Sequence, residues 1–251
     1  MVNLASHFDK IVRATPMFSN SPNLDQNFKG SNEGNNFAFV DRFMMDKEGW
    51  ESDLAQVIDS DKKIDWANKT SKAFFRGHIA GENSTVYDYT YKGLNQGQYA
   101  VFNKTMRSLA NKTKYLNDTN FPRLNVVIKS VLNPEMIDAK FATNTDEEKV
   151  VFYDAFPKTY NQMFDKTRSI EDHLQYKYLL SVDGKTASWK RPEWIMASNS
   201  LLFKTTTPFY QWWYDGLKPY QNYIPVRPDF SDLEEKISWA RNHDEIANQI
   251  A

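Results

Sequence analysis

The stretch between residues 178 and 203 sets the strongest limit on what this chain can fold into. Its apolar run at 178–182 predicts a β-strand, residues from about 188 to 197 predict a helix, and 201–203 predict a second strand. Two strands joined through a helix in this way lie parallel in one sheet, because the connecting helix packs back onto the face of that sheet. The sequence therefore predicts an α/β fold with a parallel sheet.

Similar patterns predict further elements along the chain. Apolar runs indicate strands within 37–45, at 72–77 and at 124–128. Helical spacing of apolar residues indicates helices at 50–58, at 97–110 and from 231 onwards. At the last of these, Ser231 and Glu234 have the spacing of a capping box, in which each side chain satisfies a free backbone N–H of the first helical turn.

Composition excludes several classes of protein. The 251 residues include 31 basic and 32 acidic side chains, so no net charge favours nucleic acid as a partner. The absence of cysteine excludes disulfides and thiolate metal sites, and it favours a reducing compartment. No apolar run approaches the 18 residues of a membrane span, and residues 1–16 lack the apolar stretch of a signal peptide. We therefore expect a cytoplasmic protein.

A Gly-Lys-Thr triplet at 184–186 raises the question of a phosphate-binding P-loop. That motif requires another glycine five residues before Gly184, and Leu179 stands there, inside the predicted strand. The segment 181–191 nevertheless carries a glycine and small residues, followed by a helix start with Lys190 and Arg191. Free N–H groups at a helix start, next to cations, attract anions. An anion site without a P-loop is predicted here.

Other patterns for catalytic or metal sites are weak. Asp59 and Asp61 match the Asp-x-Asp pair of metal-dependent glycosyltransferases, but a solvated charged loop is the better interpretation. The four histidines are scattered without the spacing of a zinc site, so no metal is expected. The serine-hydrolase elbow Gly-x-Ser-x-Gly and the dinucleotide-binding Gly-x-Gly-x-x-Gly are also absent.

Cations near predicted strands form a more consistent pattern. Arg76 and Gly77 end one strand, Arg123 precedes another, and Lys190 and Arg191 follow the strand at 178–182. Ligands of open α/β sheets bind at the carboxyl ends of strands, and the planar guanidinium group matches pairs of phosphate oxygens. Phosphate binding and a surface salt bridge are the two alternatives for each of these arginines.

Longer segments resemble glycosyltransferase family 90. Residues 176–251 carry KYLLSVDGKTASWKR, LKPYQNYIPV and SDLEEKISWA in the order and spacing of that family. Upstream, AFFRG at 73–77, PRLNVVIKSVLNPEMIDAKF at 122–141 and PMFSNSPN at 16–23 resemble further blocks of it. Within that family, the sequence most resembles the bacterial branch that modifies the lipopolysaccharide core.

This resemblance implies a GT-B architecture, with two Rossmann-like domains of parallel sheets and the donor in the cleft between them. Residues 1–71 would then be an incomplete acceptor-side domain, and 72–251 the nucleotide-sugar-binding domain. Inverting transfer in the family uses an aspartate as base, and Asp9 stands at the matching place before the PMFSNSPN segment. The residues implied for donor binding are Arg76, Gly77, Arg123, Gly184, Thr186, Ala187, Ser188, Lys190 and Arg191.

The implied activity is transfer of glucose, galactose or xylose from a nucleotide diphosphate donor, a UDP-sugar, to a saccharide or glycolipid acceptor such as lipopolysaccharide. No further cofactor is expected, and such an acceptor implies peripheral contact with the inner membrane. Three features depart from the family: Asn222 replaces a frequent histidine, the chain stops at Ala251, and the N-terminal half is short. These departures keep open the alternative of a member that binds nucleotide sugar or glycan without turnover.

Overall fold

The fold is seen in a computed structural model. It describes residues 17–19, 36–38, 47–78, 122–142, 160–184, 187–188, 190–207, 209, 211 and 213–251. Near the N-terminus, β1 (Met17–Ser19) and β2 (Asn36–Ala38) pair in parallel. Asp9 and Thr186, two of the predicted site residues, and the predicted helix at 97–110 lie outside the described residues.

Six parallel strands form the main sheet of the described chain. They are β3 (Thr70–Gly77), β4 (Ile137–Ala142), β5 (Phe164–Asp165), β6 (Tyr176–Ser181), β7 (Leu201–Thr205) and β8 (Ile224–Val226). Their order across the sheet is β5-β4-β3-β6-β7-β8. This is the order of a Rossmann-like sheet, and it confirms the predicted parallel α/β fold.

The order of the strands reverses between β3 and β6. From β3 the chain adds β4 and β5 on one side, and it then returns to add β6, β7 and β8 on the other. The two central strands pair directly, with Phe74 opposite Leu179. β3 is followed along the chain by β4 on one side, and β6 is followed by β7 on the other. In open α/β sheets, a point at which the strand order reverses in this way is where ligands bind, at the carboxyl ends of the strands.

Helices cover both faces of the sheet. They are α1 (Lys47–Asp61), α2 (Pro122–Leu132), α3 (Tyr160–Met163), α4 (Ile170–His173), α5 (Arg191–Met196), α6 (Leu233–Asn242) and α7 (Asp244–Ile250). Two short 3-10 helices lie at Trp66–Asn68 and Tyr214–Gly216. Among the residues that the structure describes, no helix combines the length and apolar character that crossing a membrane requires.

Both faces of the central strands are buried, which explains why their apolar runs are continuous. Phe75 and Tyr178 are buried on one face with residues of α2, α6 and α7. Phe74 and Leu179 are buried on the other face with residues of α1 and α5. Because successive side chains point to opposite faces and both faces are covered, a central parallel strand needs apolar residues throughout.

Most predicted elements are confirmed. The strands at 72–77, 178–182 and 201–203 correspond to β3, β6 and β7, and the helices at 50–58, at 188–197 and from 231 correspond to α1, α5 and α6. The strand predicted within 37–45 overlaps β2 by two residues. The second Rossmann-like domain, the GT-B arrangement and the division at residue 71 stay predictions.

The strand predicted at 124–128 is wrong, because these residues lie in α2. The short run Leu-Asn-Val-Val-Ile has the β-branched composition of a strand. However, Pro122 is suited to the first helical position, and Leu124, Val127 and Val131 recur at helical spacing against the sheet. Packing of one helical face has overridden local strand propensity.

The capping box predicted at Ser231 and Glu234 is also wrong. Asp232 is the N-cap of α6, and no side chain caps the helix there. Glu234 instead pairs with Lys129 of α2 at 3.2 Å, which ties the two helices together. A capping box does occur before α4, where Ser169 and Asp172 exchange hydrogen bonds.

The buried face shared with α2, α6 and α7 should dominate stability. Phe203 of β7 is fully buried there, so we expect Phe203→Ala to lower the free energy of unfolding by about 3–5 kcal/mol through lost burial and a cavity. Leu132, which is 66% exposed at the end of α2, is the control, and Leu132→Ala should change that free energy by no more than about 0.5 kcal/mol. Urea unfolding measures both, and equal losses would contradict this packing.

Candidate functional site

The strand-order reversal places two chain segments side by side at the carboxyl edge of the sheet. One is the end of β3, with Arg76, Gly77 and then His78. The other is the end of β6, which continues through residues 182–190 into α5. Arg123 in the first turn of α2 and Arg191 at the start of α5 reach these strand ends with their side chains. This edge is the candidate site.

Arg76 is held by carboxylates rather than left available for a ligand. Its Nε donates to Asp165 Oδ2 and its Nη2 to Asp138 Oδ1, both at 2.8 Å. The guanidinium group also lies 4.3 Å from the centroid of the Phe74 ring, and the residue is almost fully buried. Burial acts to raise the pKa of Asp165, but the hydrogen bond from Arg76 and those from its other partners hold that pKa below its usual value. Arg76 thus ties β3 to β4 and β5.

Arg123 donates to the backbone of both central strands. Its Nη1 bonds to His78 O at 2.9 Å and its Nε to Val182 O at 3.3 Å. These bonds bridge the segments that follow β3 and β6. Burial lowers the pKa of Arg123 to about 10, and the nearby Asp183 carboxylate partly opposes that shift.

Arg191 reaches the same place from α5. Its Nη2 donates to Arg76 O at 2.7 Å. Burial lowers the pKa of Arg191 to about 9, and the charge of Arg123 lowers it further. Both guanidinium groups are therefore protonated at neutral pH, and they repel each other.

Phe75 lies beneath both of these arginines. Its ring centroid is 5.9 Å from Arg123 Cζ and 5.2 Å from Arg191 Cζ, within range of cation–π attraction. Gly77 is required by the same ring, because a Cβ at that position would lie 2.6 Å from Phe75 Cζ. The predicted residue Gly77 therefore serves the site through its lack of a side chain.

His173 contacts the guanidinium group of Arg191. Its Nδ1 lies 2.7 Å from Ser169 O, which can only accept, so Nδ1 carries the proton and Nε2 is free to accept. Nε2 lies 3.4 Å from Arg191 Nη1. Burial, together with the charge of Arg191, lowers the pKa of His173 to about 3, which keeps the ring neutral. Sequence reasoning treated His173 only as an unlikely zinc ligand.

Asp183 organises the loop after β6, and sequence reasoning missed it. This carboxylate is fully buried. Its Oδ1 accepts from Ser188 N at 2.7 Å, and its Oδ2 accepts from Thr207 Oγ1 at 2.5 Å. The available signal was an acidic residue directly after a buried strand, where an unpaired charge is costly and a set of hydrogen bonds is required.

The remaining predicted loop residues lie in this folded segment. Gly184, Ala187 and Ser188 are buried, and Lys190 is half-buried as the residue preceding α5. The Ser188 hydroxyl donates to Val182 O at 3.0 Å, so it helps to fold the loop back onto β6. Of the two cations left open by the sequence, Arg191 is the one whose charge lies beside Arg123.

Metal ligands do not gather in the part of the chain that the structure describes. No three His, Asp or Glu side chains there are placed to hold an ion. Asp59 is an exposed partner of Lys62, with 3.7 Å between the charged atoms. Asp61 accepts from Asn199 N at 2.9 Å and lies 3.7 Å from Lys69 Nζ. The Asp-x-Asp pattern thus belongs to structural contacts at the end of α1.

The site brings two cations close together, and the buried Asp183 carboxylate acts on Arg123 without forming an ion pair with it. Within the described residues, neither Arg123 nor Arg191 forms an ion pair with a carboxylate, whereas Arg76 forms two. A bound anion would remove the repulsion between these two charges. Chemically, this edge of the sheet is suited to a polyanionic group such as a diphosphate.

Comparison with known proteins finds similar sequences among protein O-glucosyltransferases. Protein O-glucosyltransferase 3 of Mus musculus is 31% identical over 176 residues, covering 66% of this chain and 33% of the mouse protein. Protein O-glucosyltransferase 2 of Danio rerio is 37% identical over 134 residues, covering 53% of this chain and 25% of the fish protein. Protein O-glucosyltransferase 1 of Homo sapiens is 29% identical over 143 residues, with coverage of 56% and 35%.

The matched region therefore spans about a third or less of the length of these curated relatives. The sequence pattern described as glycosyl transferase family 90 matches residues 37–251, which include every strand of the main sheet and both arginines of the site. This chain belongs to glycosyl transferase family 90.

Proposed function

We propose that this protein is an inverting glycosyltransferase that takes a nucleotide diphosphate sugar, a UDP-sugar, as donor. The observation that carries the proposal is the pair Arg123 and Arg191, which converge on Phe75 at the strand-order reversal. Membership of family 90 supports the same activity.

The two arginines suit the diphosphate of the donor. Each guanidinium group already donates hydrogen bonds to backbone carbonyls, and these bonds fix its position before a ligand binds. Its remaining N–H groups and its charge are available to phosphate oxygens. A positively charged site that is already ordered loses less conformational entropy on binding than a mobile one.

The same charges would assist the chemical step. When the sugar leaves the diphosphate, negative charge grows on the β-phosphate oxygens. Fixed cations at that position stabilise the transition state more than the ground state, which is the requirement for catalysis. Asp183 contributes indirectly, since its hydrogen bonds to Ser188 and Thr207 hold the loop that leads to Arg191.

The proposed acceptor differs from the lipopolysaccharide that the sequence led us to expect. Lipopolysaccharide, expected from the bacterial branch of the family, has no support among the relatives reported above. Their names describe protein O-glucosyltransferases. We therefore propose glucose as the transferred sugar and a protein hydroxyl as the acceptor, with a saccharide hydroxyl as the second candidate.

Asp9 is proposed as the base that removes the proton of the acceptor hydroxyl. This proposal rests on the place of Asp9 before the PMFSNSPN segment. The second candidate function, binding of nucleotide sugar without turnover, requires the donor site alone. Donor binding and turnover must therefore be tested separately.

Removal of Arg123 tests the donor site. We expect Arg123→Ala to weaken UDP binding by about 1.5–3 kcal/mol, the scale of a hydrogen bond to a charged group. The free energy of unfolding should change little, because lost bonds to His78 O and Val182 O are offset by relief of repulsion with Arg191. Isothermal titration calorimetry measures the affinity. Lys62→Ala, which removes an exposed cation ahead of β3, is the control, and equal affinity in wild type and Arg123→Ala would contradict the proposal.

Replacement of Asp9 tests the chemical role. Asp9→Asn keeps the shape but removes the base, so turnover of UDP-glucose with an acceptor should fall by about 10²–10⁴. Donor affinity should stay unchanged, because the base acts on the acceptor. Near-normal turnover in this variant would eliminate Asp9. A wild-type protein that binds donor and shows no turnover with protein or saccharide acceptors would favour the binding function.

A further inference from the structure

The segment after β7 contains Gln211, whose buried side-chain amide is the basis of this inference. Gln211 is 1% exposed. Among the residues that the structure describes, neither its Nε2 nor its Oε1 has a hydrogen-bonding partner. Burying an amide with both ends unsatisfied costs free energy, and such groups are rare in folded proteins. A ligand that supplied the missing partners would remove this cost.

The position of this segment connects Gln211 to the candidate site. Thr207, four residues earlier, donates to Asp183 Oδ2, the same carboxylate that holds Ser188 in the loop leading to Arg191. One buried carboxylate therefore fixes both segments at the carboxyl edge of the sheet. Gln211 follows β7 in the chain, and β7 lies on the side of β6 away from β3.

Further contacts hold the turn that begins at Gln211 against the ends of β6 and β7. Gln211 O accepts from Tyr214 N at 3.0 Å, which closes the turn. The Tyr214 ring lies 4.2 Å from Lys204 Nζ, near the end of β7. Lys204 is paired with Ser181, the last residue of β6. The turn is thus packed onto the ends of β6 and β7.

Two more unsatisfied groups occur in the same region. Ser181 Oγ and Trp213 Nε1 are buried and have no hydrogen-bonding partner within the described chain. Together with Gln211, they place several unpaired donors and acceptors at the ends of β6 and β7. The arginine pair supplies charge at the strand-order reversal, whereas this group supplies neutral hydrogen bonds farther along the same edge.

We propose that Gln211 binds the nucleoside half of the donor through its side-chain amide. This inference rests on the proposed function and specifies a part of its donor site. A primary amide offers one donor and one acceptor side by side. Uracil presents the complementary pair in its N3–H and adjacent carbonyl oxygen, and the ribose 2′- and 3′-hydroxyls present another. The diphosphate between the arginines would leave the nucleoside directed along the edge towards β7.

The test is Gln211→Met, which keeps the length of the side chain and removes both polar atoms. We expect the affinity for UDP to fall by about tenfold to a hundredfold, as for the loss of two neutral hydrogen bonds. The melting temperature of the free protein should stay equal or rise, since an apolar group replaces an unsatisfied buried amide. Gln56→Met, the same change on the exposed face of α1, is the control and should alter neither value.

Inorganic diphosphate distinguishes the nucleoside from the phosphates. Its affinity should be equal in wild type and Gln211→Met, because it lacks the group that the amide would bind. An equal loss of affinity for UDP and for diphosphate in Gln211→Met would overturn the inference. Unchanged UDP affinity in that variant would also overturn it, whether or not the melting temperature falls. If wild type binds no UDP at all, the proposed function fails instead.

Discussion

The strand-order reversal between β3 and β6 is the constraint on which the rest of this structure depends. It places the carboxyl ends of two adjacent parallel strands beside connections that leave in opposite directions. The described groups proposed for the diphosphate site are attached to that edge. Arg123 and Arg191 donate to backbone carbonyls there, and Asp183 folds the loop after β6 against it. The strand order thus brings these side chains together at one edge of the sheet.

Electrostatic pairing distinguishes Arg76 from Arg123 and Arg191, the two arginines proposed to bind the donor. Arg76 meets two carboxylates and is almost fully buried, so its charge is used to join three strands. Arg123 and Arg191 have no such partners in the described chain, and each is held near its neighbour by Phe75 and by backbone carbonyls. Keeping two like charges close together destabilises the free protein. Binding of an anion between them, as proposed, would offset that cost.

The sequence contained enough information for three adjacent strands of the main sheet, β3, β6 and β7, but β4, β5 and β8 were not predicted. The runs Ala-Phe-Phe, Tyr-Leu-Leu and Leu-Leu-Phe are apolar throughout because both faces of β3, β6 and β7 are covered, and such runs are readily recognised as strands. Residues 124–128 resemble those runs, but only the packed structure shows that they form one face of a helix. The roles of Arg76 and Gln211 could not be predicted, since they depend on partners far away in sequence. Asp138 and Asp165 lie 62 and 89 residues from Arg76, and Gln211 is notable only for contacts that it lacks.

The central claim is that Arg123 and Arg191 act together as the diphosphate-binding pair. Calorimetric titration of UDP and uridine into wild type and into the Arg123→Ala/Arg191→Ala double variant tests it most directly. In wild type, UDP should bind at least about tenfold more tightly than uridine, as expected from charge-assisted hydrogen bonds to phosphate. In the double variant that difference should disappear while uridine affinity is retained. A preference for UDP that survives removal of both guanidinium groups would contradict the account.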